Sequence, residues 1–377
     1  MTFLKPRVIA EVNLRAIRHN YREIRKIIPK EVKIMGVVKA DAYGHGAIRV
    51  SKVLQDEGID RLAVAIAKEG EELRVSDIKL PILVLGYTPK ADVELLIVND
   101  LTQTIFSYEM AEYISTEAGK FNKIINVHIK IDTGMGRIGF LPNTNSIIEI
   151  RKIMSLPNIN VEGLFTHFST SDEEDPSYTK EQWSIFKGFI NELKDFDIAI
   201  PFVHAANSGA ILNHTHTYLD IVRPGILLYG HYPSKFLENY KLSLIPSMTL
   251  KTQVVHVKEL TENKFISYGK SFKTNQKTKI ATLPIGYADG YPRNLSNKSH
   301  VLINGQFAKV IGKICMDQFM VNVTNLTNVS VGDEVVLFGF QYDKCIRIEE
   351  LASICQTINY ELISTIGKRV PRRYIDL

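Results

Sequence analysis

The chain has 377 residues, 45% hydrophobic and 23% charged. That balance excludes a disordered segment or a fibre and leaves room for two domains, one of them a large barrel. The formal net charge of +5 reflects 46 basic and 41 acidic residues. They are spread rather than clustered, which argues against nucleic-acid binding and stays compatible with a small anionic substrate or cofactor. Cys315, Cys345 and Cys355 fit neither a disulfide framework nor a zinc site and suit a reducing compartment. The N-terminal stretch MTFLKPRVIAEVNLRAIRHN lacks a signal pattern, and no run approaches the roughly twenty apolar residues that span a bilayer. A cytoplasmic protein with no membrane partner is expected.

Along the chain, residues 33 to about 230 hold eight short apolar runs: KIMGVVKA, LAVAIA, PILVLGY, TQTIFS, NVHIKID, VEGLFTH, PFVHAA and DIVRPGI. Amphipathic segments such as EQWSIFKGFINELKDF separate them. Strands that alternate with helices in this way predict a (β/α)8 TIM barrel, somewhat short of the usual ~250 residues. After Tyr240 the rhythm changes to short strands without long helical patterns: TLKTQVVHVKEL, KIATLPIGY, HVLINGQFAKVIGK, FMVNVTNL and DEVVLFG. Asn304-Gly305 and Gly332-Asp333 read as turns between them. A helical stretch, IRIEELASICQTINYELISTI, closes the chain. The expected division is a barrel over 1–240 and a mainly-β domain over 241–377, with about the first 11 residues able to pack with the β domain.

Catalytic groups of such barrels sit where strands end. The first run ends in Lys39, followed by Asp41, Tyr43, Gly44 and Gly46. Lys39 is either a snorkelling lysine before a Gly-rich turn or an amine that forms a Schiff base, for which desolvation helps by favouring the neutral form. The fifth run ends in Lys130 and Asp132, and Arg137 follows among Gly134, Gly136 and Gly139. The sixth ends at His167, by itself more often a satisfied rim histidine than a catalytic one. The seventh runs into Asn207, Ser208 and Gly209, and the eighth into Arg223, Pro224 and Gly225. Loops after the last two strands are where barrels commonly bind phosphate. A lysine on the first strand plus a phosphate cradle on the last two describes a pyridoxal 5′-phosphate site.

VVKADAYGHG, KIDTGMGRIGF, HAANSGA, DIVRPGILLYG, SYGKSF, LPIGYADGYPR, GKICMDQ and TINYE run in this order over nearly the whole chain, and the set resembles the bacterial alanine racemase family. The resemblance implies interconversion of L- and D-alanine, a small amino-acid substrate, and a homodimer with shared sites that supplies D-alanine for peptidoglycan. It implies Lys39 and Tyr268 as two opposed bases, with Tyr268 from the partner subunit. His167 and Arg223 would support catalysis. Tyr43, Asn207, Ser208, Arg223, Gly225, Ile226 and Tyr360 would join Lys39 in holding the cofactor, with Arg223 at the pyridine nitrogen.

Arg137 and Met316 would orient the substrate carboxylate, a carbamylated Lys130 would hold Arg137, and Tyr287 and Arg293 would line the access channel. No metal is implied. Lys313 stands where the family usually has Arg, which keeps the charge but loses the planar fork. The alternatives are a serine or broad-specificity racemase and a non-catalytic pyridoxal phosphate carrier, although carriers are single barrels. A decarboxylase of this barrel type is expected to place a carboxylate at the pyridine nitrogen, and Arg223 and Tyr268 argue against it.

Overall fold

A computed structural model of the chain describes residues 6–376. Contacts divide it into two units, one of residues 16–42 and 47–245, the other of 6–15, 43–46 and 246–376. Of the first 11 or so residues considered for the β domain, residues 1–5 lie outside the described part.

The strand β1 (Val8–Asn13) belongs to the smaller unit. The apolar runs of the larger unit form β2 (Lys33–Val37), β3 (Arg61–Val64), β4 (Ile82–Val84), β5 (Thr102–Ile105), β6 (Ile125–Lys130), β7 (Ile159–Phe165), β8 (Phe202–His204) and β9 (Ile221–Val222). They hydrogen-bond in parallel in the order β8-β7-β6-β5-β4-β3-β2-β9. A parallel bridge between Asn207 and Arg223, with the Asp220 N–H donating to the Val203 carbonyl at 3.0 Å, closes the barrel. Every residue of β3, β4 and β5 is buried, the polar Arg61, Thr102, Gln103 and Thr104 included, as expected when helices cover the outside of a parallel sheet. Some of those helices start at side-chain caps. The side chain of Ser107 accepts from the Met110 N–H to open Tyr108–Lys120, and Asn143 accepts from the Ser146 N–H to open Thr144–Met154.

The smaller unit is built on β10 (Met248–Gln253), β11 (His256–Leu260), β12 (Phe265–Ile266), β13 (Phe272–Lys273), β14 (Thr278–Leu283), β15 (His300–Ile303), β16 (Gln306–Ile311), β17 (Phe319–Asn322), β18 (Glu334–Gln341), β19 (Lys344–Ile346) and β20 (Arg372–Ile375). Its main sheet runs β11-β14-β17-β16-β15-β18-β10-β1-β20, with β19 paired to β18. The run TLKTQVVHVKEL, read as one strand, breaks at Val254 into β10 and β11. Asn304 and Gly305 have φ of 51° and 71° and form the two-residue turn of the β15–β16 hairpin. The closing helical stretch is two helices, Ile348–Cys355 and Asn359–Ser364, because Gln356 adopts a left-handed conformation with φ 57°. The chain then ends in β20, which pairs in parallel with β1. No helix among the described residues is long and apolar enough to cross a membrane.

Candidate active site

Lys39 sits at the C-terminal end of β2, where strand geometry stops abruptly. Ala40, Asp41, Ala42 and Tyr43 all have φ of 53°, and Gly44 and Gly46 continue with φ of 79° and 93°. Successive left-handed L-residues are unfavourable by roughly 1–2 kcal/mol each, so surrounding groups must hold the turn. In the larger unit, Glu69 accepts the Ala40 N–H at 2.6 Å and the Ala65 N–H at 2.8 Å, and Asp41 accepts the Ala47 N–H at 2.7 Å. Lys39 is half-buried. Burial and the Arg137 charge hold its amine below the ordinary lysine range against the opposing pull of Glu69. That shift makes a neutral, nucleophilic amine more accessible.

Lys130, at the end of β6, is 2% exposed and its amine donates to the Ile131 carbonyl at 2.6 Å. Burial, reinforced by Arg223 and Arg137 and opposed by Asp132, pushes it down to about 7. Arg137 is exposed, and its guanidinium makes no hydrogen bond among the described residues.

Arg223 is 4% exposed beyond the end of β9. One terminal nitrogen donates to His204 Nδ1 at 2.8 Å. The other donates to the Thr166 and Ala205 carbonyls at 3.0 and 2.9 Å and reaches His167 Nδ1 at 3.3 Å. Burial pushes the guanidinium down to about 9, so it stays charged at neutral pH. Because arginine only donates, His167 accepts at Nδ1 and carries its proton on Nε2. Burial and then the Arg223 charge hold this imidazole well below the usual histidine range.

The loops after β8 and β9 are tied together by the Gly225 N–H donating to Ser208 Oγ at 2.8 Å. The Ser208 proton remains available for an anion. Asn207 accepts from the Ala210 N–H and Ser171 Oγ and donates to the Phe168 carbonyl. Its side chain therefore shapes the loop, while Ile226 is fully buried at the start of the following turn.

These residues suit pyridoxal phosphate. The Nε of the buried Arg223 makes no hydrogen bond among the described residues. A donor-only group is thus available for a ring nitrogen, and a depressed lysine amine for an aldehyde.

In the smaller unit, Tyr43 is buried and its ring lies 6.0 Å from that of Tyr360. Tyr268 is 71% exposed on a turn in which Ser267, Gly269 and Lys270 have φ of 67°, 67° and 51°. Ser267 Oγ pins this turn by donating to the Lys313 carbonyl at 2.7 Å. Met316 is 53% exposed, and its carbonyl accepts the Ala288 N–H at 3.0 Å beside the Tyr287 N–H bond to the Cys315 carbonyl. Tyr287 and Arg293 are exposed.

Three contributors escaped the sequence reading. Glu69 acts on backbone N–H groups remote in sequence and leaves no motif. His204 ends β8 as His167 follows β7, so the rule that strand ends carry chemistry could have found it. Asp289 is fully buried, receives a double hydrogen bond from Arg7 and accepts the Gly286 N–H at 3.1 Å. It thereby fixes the turn on which the Met316 loop rests.

The chain matches the family models described as alanine racemase, N-terminal domain, over residues 12–233 and alanine racemase, C-terminal domain, over residues 247–374. It is 51% identical over 368 residues to alanine racemase 1 of Clostridium acetobutylicum, covering 98% of this chain and 95% of the relative. To the alanine racemase of Methanococcus maripaludis it is 48% identical over 366 residues, covering 97% and 98%. Among solved structures, alanine racemase of Clostridium difficile 630 superimposes with a TM-score of 0.95 at 44% identity, covering 99% of this chain and 97% of that one. Alanine racemase of Bacillus anthracis with bound L-Ala-P gives 0.93 at 38% identity, covering 99% and 96%. A barrel ending in this lysine, arginine and histidine set, two family models that together span most of the sequence, and relatives that match it nearly end to end agree: the chain belongs to the alanine racemase family.

Proposed function

We propose that the chain interconverts L- and D-alanine by a two-base mechanism with pyridoxal 5′-phosphate, in the cytoplasm, supplying D-alanine for peptidoglycan. The observation that carries this reading is the half-buried Lys39, its amine depressed, in the same unit as the buried, donor-only Arg223 with its uncommitted Nε. When bound, pyridoxal phosphate supplies an electron sink that makes the substrate Cα–H bond acidic.

Lys39 would anchor the cofactor covalently, and the Ser208 hydroxyl, oriented by the Gly225 N–H, would hold its phosphate together with the Ile226 N–H. Asn207 shapes that loop. Tyr43 and Tyr360 complete the phosphate contacts in the family pattern. Arg223 would face the pyridine nitrogen as a donor that keeps its proton, so a bound ring would be a weaker electron sink than one paired with a carboxylate, which favours simple return of the proton to Cα.

Racemisation needs a proton removed from one face of Cα and returned on the other. Lys39 serves one face and Tyr268 of a second copy the other. The exposure of Tyr268 and Met316 on the smaller unit supports that sharing. His167, fixed by Arg223 as the Nε2–H form, offers a hydrogen-bond donor to the tyrosine oxygen. Arg137 and the Met316 N–H orient the substrate carboxylate. The near-neutral Lys130 amine is suited to carbamylation, and the resulting anion would pair with Arg137. Tyr287 and Arg293 narrow access in favour of a small side chain.

The test is reduction of the pyridoxal phosphate-loaded protein with borohydride, followed by peptide mapping. The expected result is a pyridoxyl mass on Lys39, lost together with racemisation in Lys39→Ala. A label on another lysine would refute the assignment.

A further inference from the structure

Behind Arg223 a chain of buried hydrogen bonds crosses the barrel interior. Arg223 donates to His204 Nδ1 at 2.8 Å. His204 Nε2 lies 2.8 Å from His128 Nδ1, and His128 Nε2 lies 3.1 Å from Glu162 Oε1. Glu162 also accepts from Arg61 at 2.5 Å. His128 and His204 are fully buried. The chain begins beyond the C-terminal end of β9 and finishes at Arg61, the first residue of β3.

Its proton order is determined from both ends. Arginine can only donate, so the His204 proton must sit on Nε2. An ionised carboxylate can only accept, so the His128 proton must also sit on Nε2. All the donors then point one way, and both rings are neutral. Burial, with Arg223 adding to it, keeps His204 well below the usual histidine range. Burial likewise keeps His128 low despite Glu162. Burial alone would raise Glu162, but the His128 and Arg61 donors hold it at about 2.

The surroundings are built to seat these rings. Phe165 stacks on His204 with centroids 4.8 Å apart and planes 3° from parallel. A Cβ on Gly163, in the middle of β7, would meet the His128 ring at 2.3 Å. Glycine weakens a strand interior, so its presence there has a packing reason.

We propose that His204, His128 and Glu162 are positioning residues of the racemisation site, coupling Arg223 to a buried carboxylate through two oriented neutral imidazoles and so fixing the guanidinium that faces the cofactor. This rests on the functional reading above. None of the three touches substrate or cofactor; they act through Arg223.

The test compares His204→Gln with His204→Leu in the holoenzyme. Glutamine preserves one acceptor toward Arg223 and one donor toward His128, whereas leucine preserves only volume. The expected result is that His204→Leu lowers kcat by about 10–100-fold with KM for alanine little changed, and moves the absorption band of the bound cofactor. His204→Gln should restore most of the rate and the native band. Gly163→Ala, which displaces His128 without altering any member of the chain, should act as His204→Leu does.

Native rate and absorption in His204→Leu, or equal damage from glutamine and leucine, would overturn the proposal. Side-chain 15N NMR of the native holoenzyme is independent of any variant's folding. Both histidines should be Nε2–H neutral tautomers, and an Nδ1–H or doubly protonated ring at either would also overturn it. A native holoenzyme that racemised nothing would instead defeat the functional reading while leaving the NMR result to decide the chain.

Discussion

At the scale of single residues, the chemistry of this protein is the management of buried cations. Lys130 is 2% exposed, with an amine at about 7, while an unfolded lysine titrates near 10.4. Between those values the unfolded chain binds the proton that the folded chain has lost. Stability contributed here is therefore fully present above about pH 10.4, is lost progressively as pH falls, and the loss is complete below about 7. For protein kept free of carbon dioxide, the unfolding free energy from urea titrations should rise from neutral to alkaline pH by on the order of a few kcal/mol, and Lys130→Met should flatten the rise. Identical slopes would contradict this. Glu69 gives a second prediction. Its carboxylate is the neighbour that supports the Lys39 charge, so Glu69→Gln should shift capture of pyridoxal phosphate by Lys39 to lower pH. An unchanged or upward midpoint would count against the pairing.

At the scale of elements, the turn from Ala40 to Gly46 concentrates the strain. A Cβ on Gly46 would lie 1.8 Å from the Tyr374 hydroxyl, and one on Gly44 would lie 2.4 Å from the Ile363 carbonyl. Gly46→Ala should lower stability by roughly 2–4 kcal/mol, through the positive φ and the overlap together, and thermal unfolding would measure it. No loss would mean that the turn relaxes freely.

This turn also marks the limit of what the sequence discloses. The eight barrel strands were legible because short runs rich in apolar residues recur between amphipathic helical segments, even where polar residues interrupt them as in TQTI and INVHIK, and the Asn304-Gly305 hairpin because the dipeptide suits positive φ at both positions. KADAY has the composition of an ordinary helix, and only the two glycines hint at the opposite hand. β20 escaped because RRYI is short and charged. In the site, Lys39, Lys130, His167 and Arg223 lie at strand ends, where fold logic alone directs attention. Tyr268, Met316, Tyr287 and Tyr360 lie on loops and short helices, and only the family resemblance singled them out. The polar chain behind Arg223 is invisible to any local pattern because it is assembled from four strands and the loop after a fifth.

At the scale of the whole molecule, the account requires sites shared between two copies. The second base stands exposed on the mainly-β unit, and its proposed partner amine belongs to the barrel unit. Mixing Lys39→Ala with Tyr268→Phe subunits under conditions of verified exchange puts both intact residues into one of the two sites of each mixed dimer. Activity should recover to about a quarter of native, since half the dimers are mixed. No recovery would favour a self-contained site.

The most direct test of the central claim is to incubate purified protein and pyridoxal phosphate with a panel of L-amino acids in deuterium oxide, followed by chiral analysis and mass spectrometry. The account predicts equal amounts of the two alanine enantiomers at equilibrium, each carrying deuterium at Cα, and little conversion of larger amino acids. Absence of D-alanine, or D-alanine formed without deuterium at Cα throughout the reaction, would contradict it. Conversion of serine or a broad set at comparable rates would contradict the narrow specificity.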